Sequence, residues 1–169
     1  MGRLKKVKYR FTRPSEANID GIRLDISSPQ ISPEMKRRIY IGNYEKEERQ
    51  IVEKLLRIDD RVLELGSGLG YISTNCARRL GDDRVVTVEA NAEMEEPIRR
   101  SFELNGVSPT LLIGAAGPEA GVVEFFFEEN FWSNSWLPTR KSTKSQKVNM
   151  LPIAQLMEQH RPTVPDLRY

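Results

Sequence analysis

Residues 61–71 read RVLELGSGLGY. An apolar run (Val62, Leu63, Leu65) passes straight into glycines at 66, 68 and 70, and a helical stripe follows. Few folds accept a buried strand that enters a helix through alternating glycines. Without Cβ atoms the turn brings backbone N–H groups and a helix N-terminus close to a ligand. Such turns lie at the carboxyl ends of parallel strands, where open α/β sheets bind small molecules.

The rest of the pattern agrees. Ile51, Leu55 and Leu56 recur at core-facing helical spacing before the strand, with Asp59 and Asp60 closing that helix. After the glycines, Ile72, Cys76, Ala77 and Leu80 form an apolar stripe that stops at Gly81. A second buried strand, RVVTVE (84–89), leads to a helix over 93–104 that ends at Asn105-Gly106, and a third strand covers 110–113. This βαβαβ rhythm predicts a parallel sheet with right-handed crossovers, in strand order 3-2-1. Upstream, short strands are expected at 7–11 and 22–26, and Pro29 and Pro33 read as punctuation. Downstream, VVEFFF (122–127) suits a hairpin arm, 132–147 reads as a polar loop, 148–151 as a strand and 153–160 as a short helix.

The chemistry of the turn follows from what breaks a more familiar pattern. A dinucleotide fingerprint G-x-G-x-x-G would need glycine at 71, where Tyr71 stands. The pattern is instead E-x-G-x-G-x-G, from Glu64 through Gly66, Gly68 and Gly70. A carboxylate at that strand end repels a pyrophosphate and suits an ammonium. Glu89 lies about 20 residues beyond the turn at the end of the second strand, the place of an acid that takes ribose hydroxyls. Gly114-Ala115-Ala116, read as a tight loop, leaves room for a flat adenine. An amine, a ribose and an adenine together describe S-adenosylmethionine (SAM).

Composition sets the outer bounds. The 169 residues allow one domain with a core, and 30% charged residues balance to +2. A chain-wide nucleic-acid binder is therefore not expected. Arg3, Lys5, Lys6, Lys8, Arg10 and Arg13 form a local basic arm, read as solvated. One cysteine, Cys76, and one histidine, His160, leave neither a disulfide nor a zinc site. His160 reads as a surface residue at a helix end rather than as a base. No apolar stretch suits a signal peptide or a membrane helix, so a soluble cytoplasmic protein is expected.

Six blocks of sequence resemble the FkbM family of class I SAM-dependent methyltransferases: NYEKEE (43–48), VLELGSGLGYIS (62–73), VEAN (88–91), LNGV (104–107), GAAG (114–117) and FWSNS (131–135). The resemblance covers roughly residues 40–160. It implies a Rossmann-like, three-layer αβα methyltransferase fold over 44–169, with 1–43 an N-terminal extension. It also implies that Glu64, Gly66, Ser67 and Gly68 line the methionine and ribose side of SAM, with Tyr71 among the cofactor-binding residues. Glu89 would bind the ribose, Ala90 and Asn91 would lie beside the adenine, and Ala115 would border it. Tyr44 and Glu45 would cap the methionine end. Trp132 and the Ser133–Ser135 loop would lie over an acceptor, expected to be a hydroxyl of a small molecule or sugar.

The resemblance departs at one place. The family's fourth strand ends in Asp-x-Glu-Gly near the reacting methyl; here that strand should begin near Pro162-Thr163-Val164, and the text reads Pro165-Asp166-Leu167-Arg168-Tyr169. The fold is therefore expected to be incomplete, an N-terminal half plus a hairpin arm. The first strand becomes a sheet edge, with Val62, Leu63 and Leu65 open to self-association. No general base can be named, and a catalytically silent SAM-binding fragment stands as the alternative to an enzyme. Nucleic-acid methylation would rest on the basic arm alone, and a nicotinamide dehydrogenase is opposed by Tyr71 and Glu64.

Overall fold

The computed structural model describes residue 9 and residues 12–128 and 142–163. Its centre is a parallel three-stranded sheet, β3 (Val62–Leu65), β4 (Val85–Glu89) and β5 (Thr110–Ile113), in the order β3-β4-β5. That is the expected 3-2-1 arrangement. Val62 pairs with Val85 and Leu65 with Val88; Val86 pairs with Thr110 and Glu89 with Ile113. Two crossover helices join the strands, α3 (Tyr71–Leu80) and α4 (Glu95–Asn105). Gly81 at φ 96° and Gly106 at φ 66° end them in backbone that a side chain would strain.

β4 is buried along all five residues, as a strand flanked on both sides must be. β3 differs from expectation: Val62 and Leu63 are half-buried and Leu65 is 51% exposed. Among the described residues its outer edge is met only at its start. There Thr163 N donates to Arg61 O (2.8 Å) and Arg61 N donates to Thr163 Oγ1 (2.9 Å). Arg61 Nε also donates to the carbonyl of His160, 2.9 Å away. The chain after α5 (Ile153–His160) thus returns to the foot of β3, beside which a fourth strand was expected to begin.

The N-terminal region differs more. Tyr9 is helical, not extended, and the rest of the 7–11 strand lies outside the described residues. β2 (Ile22–Asp25) pairs instead with β1 (Glu16–Ile19) across Asp20-Gly21, both at positive φ (50° and 83°). Two such residues make the tight turn whose twist matches a hairpin. α1 (Pro33–Tyr40) stands where the sequence reads Pro33 as punctuation. Pro33 in fact opens the helix, where a missing N–H costs nothing, and Ser32 Oγ caps Met35 N at 3.3 Å.

These residues share one core with the glycine-turn unit. Ile19, Ile22, Leu24, Met35 and Ile39 pack in the same apolar cluster as Leu69, Ile98 and Phe102. Side chains of α4 stand in for a third strand beside β2. Asn105 Oδ1 accepts from Arg23 N (3.0 Å), its Nδ2 donates to Arg23 O (2.6 Å), and Ser101 Oγ accepts from Asp25 N (3.0 Å).

α2 (Lys46–Leu55) corrects another expectation. Ile51 and Leu55, expected to face the core, are 56% and 52% exposed, and Val52 and Leu56 are the residues that pack inward. The helix lies against α3 on the outside of the molecule, so only one narrow stripe finds a partner.

A second sheet follows in the order β6-β8-β7. β6 (Ala115–Gly117) runs parallel to β8 (Ser142–Pro152), and β7 (Gly121–Glu128) runs antiparallel to it. The hairpin arm is as expected. The polar loop is not: residues 142–147 are strand, because their partners lie in 124–128, with the strand-forming Phe125, Phe126 and Phe127 at its centre. Gly114-Ala115-Ala116 is not a loop either, since Ala115 opens β6. Trp132, Ser133–Ser135 and Pro165–Tyr169 lie outside the described residues. No described helix is long and apolar enough to cross a membrane.

Candidate functional site

The glycine turn is held from both sides by the ladders of the sheet. Gly66 N donates to Val88 O and Gly114 N donates to Glu89 O, both at 2.8 Å. These bonds carry the pairing one residue past each strand. The end of β4 is thereby gripped between Gly66 and Gly114, with Glu89 in the middle.

Glu89 is 7% exposed, and its carboxylate gathers backbone donors. Asn91 N reaches Oε1 at 2.8 Å and Gly68 N reaches Oε2 at 3.3 Å. Burial raises its pKa, while the N–H groups of Asn91, Gly68, Ser67 and Ala90 pull it back. Glu89, Gly66, Ser67, Gly68, Ala90 and Asn91 are therefore one neighbourhood. Asn91 Oδ1 also accepts from Glu93 N (3.1 Å), which starts the 3₁₀ turn Ala92–Met94 before α4. Ala115 is buried just past Gly114.

Glu64 faces inward. Its Oε2 accepts from Thr87 Oγ1 (2.6 Å), and Thr87 meets Ser67 Oγ at 2.5 Å. Three side chains thus form a buried chain from β3 through β4 to the turn. Burial lifts the Glu64 pKa to about 7; Thr87 and Ser73 lower it, and Glu89 adds to the rise. Thr87 and Ser67 escaped the sequence reading as a linked pair. The signal was there in RVVTVE, where one hydroxyl interrupts an otherwise apolar buried strand.

Tyr44 and Glu45 close the turn from above. Tyr44 is 1% exposed, and its hydroxyl accepts from Leu69 N at 2.9 Å. A Cβ on Gly68 would collide with that hydroxyl and stand 2.9 Å from Glu45 Oε1, so this glycine is required by contact as well as by its φ of 57°. Gly70 (φ 74°) is required for packing, with Phe102 Cε1 2.7 Å from a Cβ placed there. Glu45 itself is left-handed (φ 45°, ψ 42°) at the start of α2. Its pKa rises to about 8, first through burial and then through Glu64.

Tyr71 is placed differently from the other residues named by sequence. It begins α3 under the Arg49 guanidinium, 5.5 Å from its ring centre, and Arg49 pairs with Asp20 at 2.6 Å. These residues line a cleft of about 410 Å³ with Lys46 and Gln50. Cys76 is buried on the same helix, its thiol pushed up to about 12 by desolvation, so it is a packing residue.

A parallel sheet flanked by helices, with acids at the ends of its first two strands and a glycine turn between them, is part of a Rossmann-like fold of the kind methyltransferases use. The comparisons point the same way. Over 75 residues the chain is 31% identical to the protein-lysine N-methyltransferase EFM3 of Chaetomium thermophilum, which covers 44% of this chain and 22% of that protein. The chain thus spans under a quarter of that relative's length, and the likeness is distant and partial. No family model matches the chain.

Proposed function

We propose that this chain is a SAM-binding unit of a class I methyltransferase. The observation that carries the reading is the Glu89 carboxylate, buried at the end of β4 and bonded to the N–H groups of Gly68 and Asn91. A ribose needs an acceptor at that place, beside a turn its backbone neighbours can approach. The partial likeness to a methyltransferase supports the same class. The cradle leaves room for a nucleoside at Gly66, where an added Cβ would meet nothing within 4 Å.

In this reading Glu89 takes the ribose hydroxyls, and Ala90, Asn91 and Ala115 border the adenine. Glu64 holds the methionyl ammonium, its own position set by Thr87. When bound, SAM supplies an activated methyl group, so the protein's task is alignment more than activation. The finer reading, an FkbM-type transfer to a hydroxyl of a small molecule or sugar, rests on the sequence blocks named above. The relative, a protein-lysine N-methyltransferase, favours an amine acceptor on a protein instead. A unit that binds SAM without turnover is the third reading, and the edge of β3, met among the described residues only at its start, favours it. The same edge is the surface through which we propose that the chain associates with itself.

Calorimetric titration with SAM tests the class. Binding in the micromolar range is expected, and Glu89→Ala should weaken it at least about tenfold, the scale of one charge-assisted hydrogen bond to a ligand. Equal affinity in the variant would remove the ribose assignment. Radiolabelled methyl transfer to protein lysine or to sugar hydroxyls separates the acceptors.

A further inference from the structure

A cleft of about 950 Å³ lies in the N-terminal region and shares none of its described lining residues with the glycine turn. It is formed by the chain leading into β1, the residues between β2 and α1, and the first half of α1. Arg13, Lys36 and Arg37 line it, and among the described residues no acid does. Pro14, Pro29 and Pro33 give it an apolar rim. The imbalance is local, because the chain as a whole carries only +2.

These cations are uncommitted. None of the ion pairs among the described residues includes Arg13, Lys36 or Arg37. The Lys36 ammonium donates to one carbonyl, that of Ser27, at 2.9 Å. Burial lowers its pKa, and Asp25 opposes the fall. Asp25 Oδ1 itself accepts from Ser27 N at 2.8 Å, and Glu34 on α1 is exposed outside the cleft. Tyr9 marks where the positive charge converges. Its hydroxyl donates to Pro33 O at 3.3 Å. Burial pushes that hydroxyl's pKa up, and Arg13 and Arg37 both pull it down. Guanidiniums from two separate segments therefore face one phenol. Arg13 is held there with φ at 39°, a backbone region that costs a non-glycine residue free energy. Like charges gathered without partners repel, and an anion placed among them relieves the repulsion.

We propose that this cleft docks an acidic peptide segment of a partner protein, with Arg13, Lys36 and Arg37 taking its carboxylates. A guanidinium fork matches a carboxylate with two parallel hydrogen bonds, and arginine clusters are a recurrent reader of acidic motifs. The volume lies at the upper end of the range for ligand pockets, so the cleft takes several residues rather than a lone ion. A nucleic-acid strand fits less well, since successive bases need aromatic faces to stack on. Tyr9 is the one aromatic among the described lining residues, and its ring already packs on Tyr40 with centroids 5.4 Å apart. The proline rim suits aliphatic side chains between the acids. The inference is independent of the SAM reading.

The test is fluorescence anisotropy of the full chain with two labelled probes. One is the amidated peptide Glu-Glu-Leu-Glu-Glu-Leu; the other is an oligothymidylate of equal charge. In about 50 mM salt the peptide should bind in the micromolar range, and it should weaken severalfold at about 300 mM, as exposed charge pairs do. Arg37→Gln should weaken peptide binding at least about threefold, and Arg13→Glu with Arg37→Glu at least about tenfold. Both arginines are exposed, so circular dichroism should match the parent. Lys54→Glu with Arg57→Glu makes the same change in net charge at exposed positions away from the cleft and should leave peptide binding as in the parent. If the double arginine variant does not fold, Arg37→Gln alone decides. The proposal is overturned if the parent does not bind the peptide, or if the arginine variants bind it unchanged. An equal loss in the Lys54 and Arg57 variant overturns it too, since the attraction would then be diffuse. Tighter binding of the oligothymidylate would replace the peptide with a nucleic acid.

Discussion

β3 and β4 lie in register, and their sequences, VLEL and VVTVE, are nearly interchangeable strand text. Leu65 and Val88 are paired neighbours on one face of the sheet. Val88 is 2% exposed and Leu65 is 51% exposed. The difference is not in the residues but in what stands beside them. β4 has a strand on each side; β3 has β4 on one side and, among the described residues, only the Arg61–Thr163 contact on the other. Composition makes a strand, but neighbours make a core.

The largest expected effect comes from placing the same charge on both strands. Val88→Asp buries an unpaired carboxylate with strands on both sides and should prevent folding, since such a group costs several kcal/mol. Leu65→Asp should change stability by no more than about 1 kcal/mol, because that side chain already meets water. Circular dichroism and urea titration of the two variants decide it. Equal destabilisation would mean that the edge of β3 is covered in solution.

The next effect uses the inward-facing residue of β3. Glu64 and Glu45 have raised folded-state values, about 7 and about 8, against 4.5 as the ordinary value. Between those limits the folded chain binds more protons than the unfolded chain, so stability falls as pH rises. The loss begins near pH 5, proceeds through pH 7 to 8 and stops above the folded values. Its slope is roughly 1.4 kcal/mol per pH unit for each proton held only in the folded state. Urea midpoints at pH 5, 6, 7 and 8 should decline for the parent and decline less for Glu64→Gln. A midpoint that rises across this range would contradict the buried, protonated carboxyl.

The same contrast explains what could be read in advance. The βαβαβ order, the glycine turn and the place of Glu89 were legible because each depends on local pattern: periodicity, glycine spacing and distance along the chain. The burial of Ile51, Leu55 and Leu65 was not, because a periodic apolar stripe says that a face is apolar and not that a partner exists. α1 was hidden by Pro33, which opens a helix as readily as it breaks one. Residues 142–147 look like loop by composition and become strand only because residues 124–128 pair with them. In the site, Glu64 was visible from its motif. Its link through Thr87 to Ser67 required the register of β3 on β4, which no single stretch of sequence contains.

The smallest expected effect concerns association. An open strand edge offers unpaired N–H and C=O groups to another chain, and an apolar side chain beside it adds area to bury. Leu65 lies at the end of that edge, away from the Arg61–Thr163 contact that closes its start. Association through β3 should therefore be concentration-dependent and weak, since four residues present few hydrogen bonds. Sedimentation velocity at rising concentration should show a shift toward dimer in the parent. Leu65→Asp, which leaves the fold intact on the argument above, should reduce that shift by placing like charges across the new pair. If the variant associates as readily as the parent, the contact lies elsewhere, with the exposed Ile51 and Leu55 of α2 as the next surface to change.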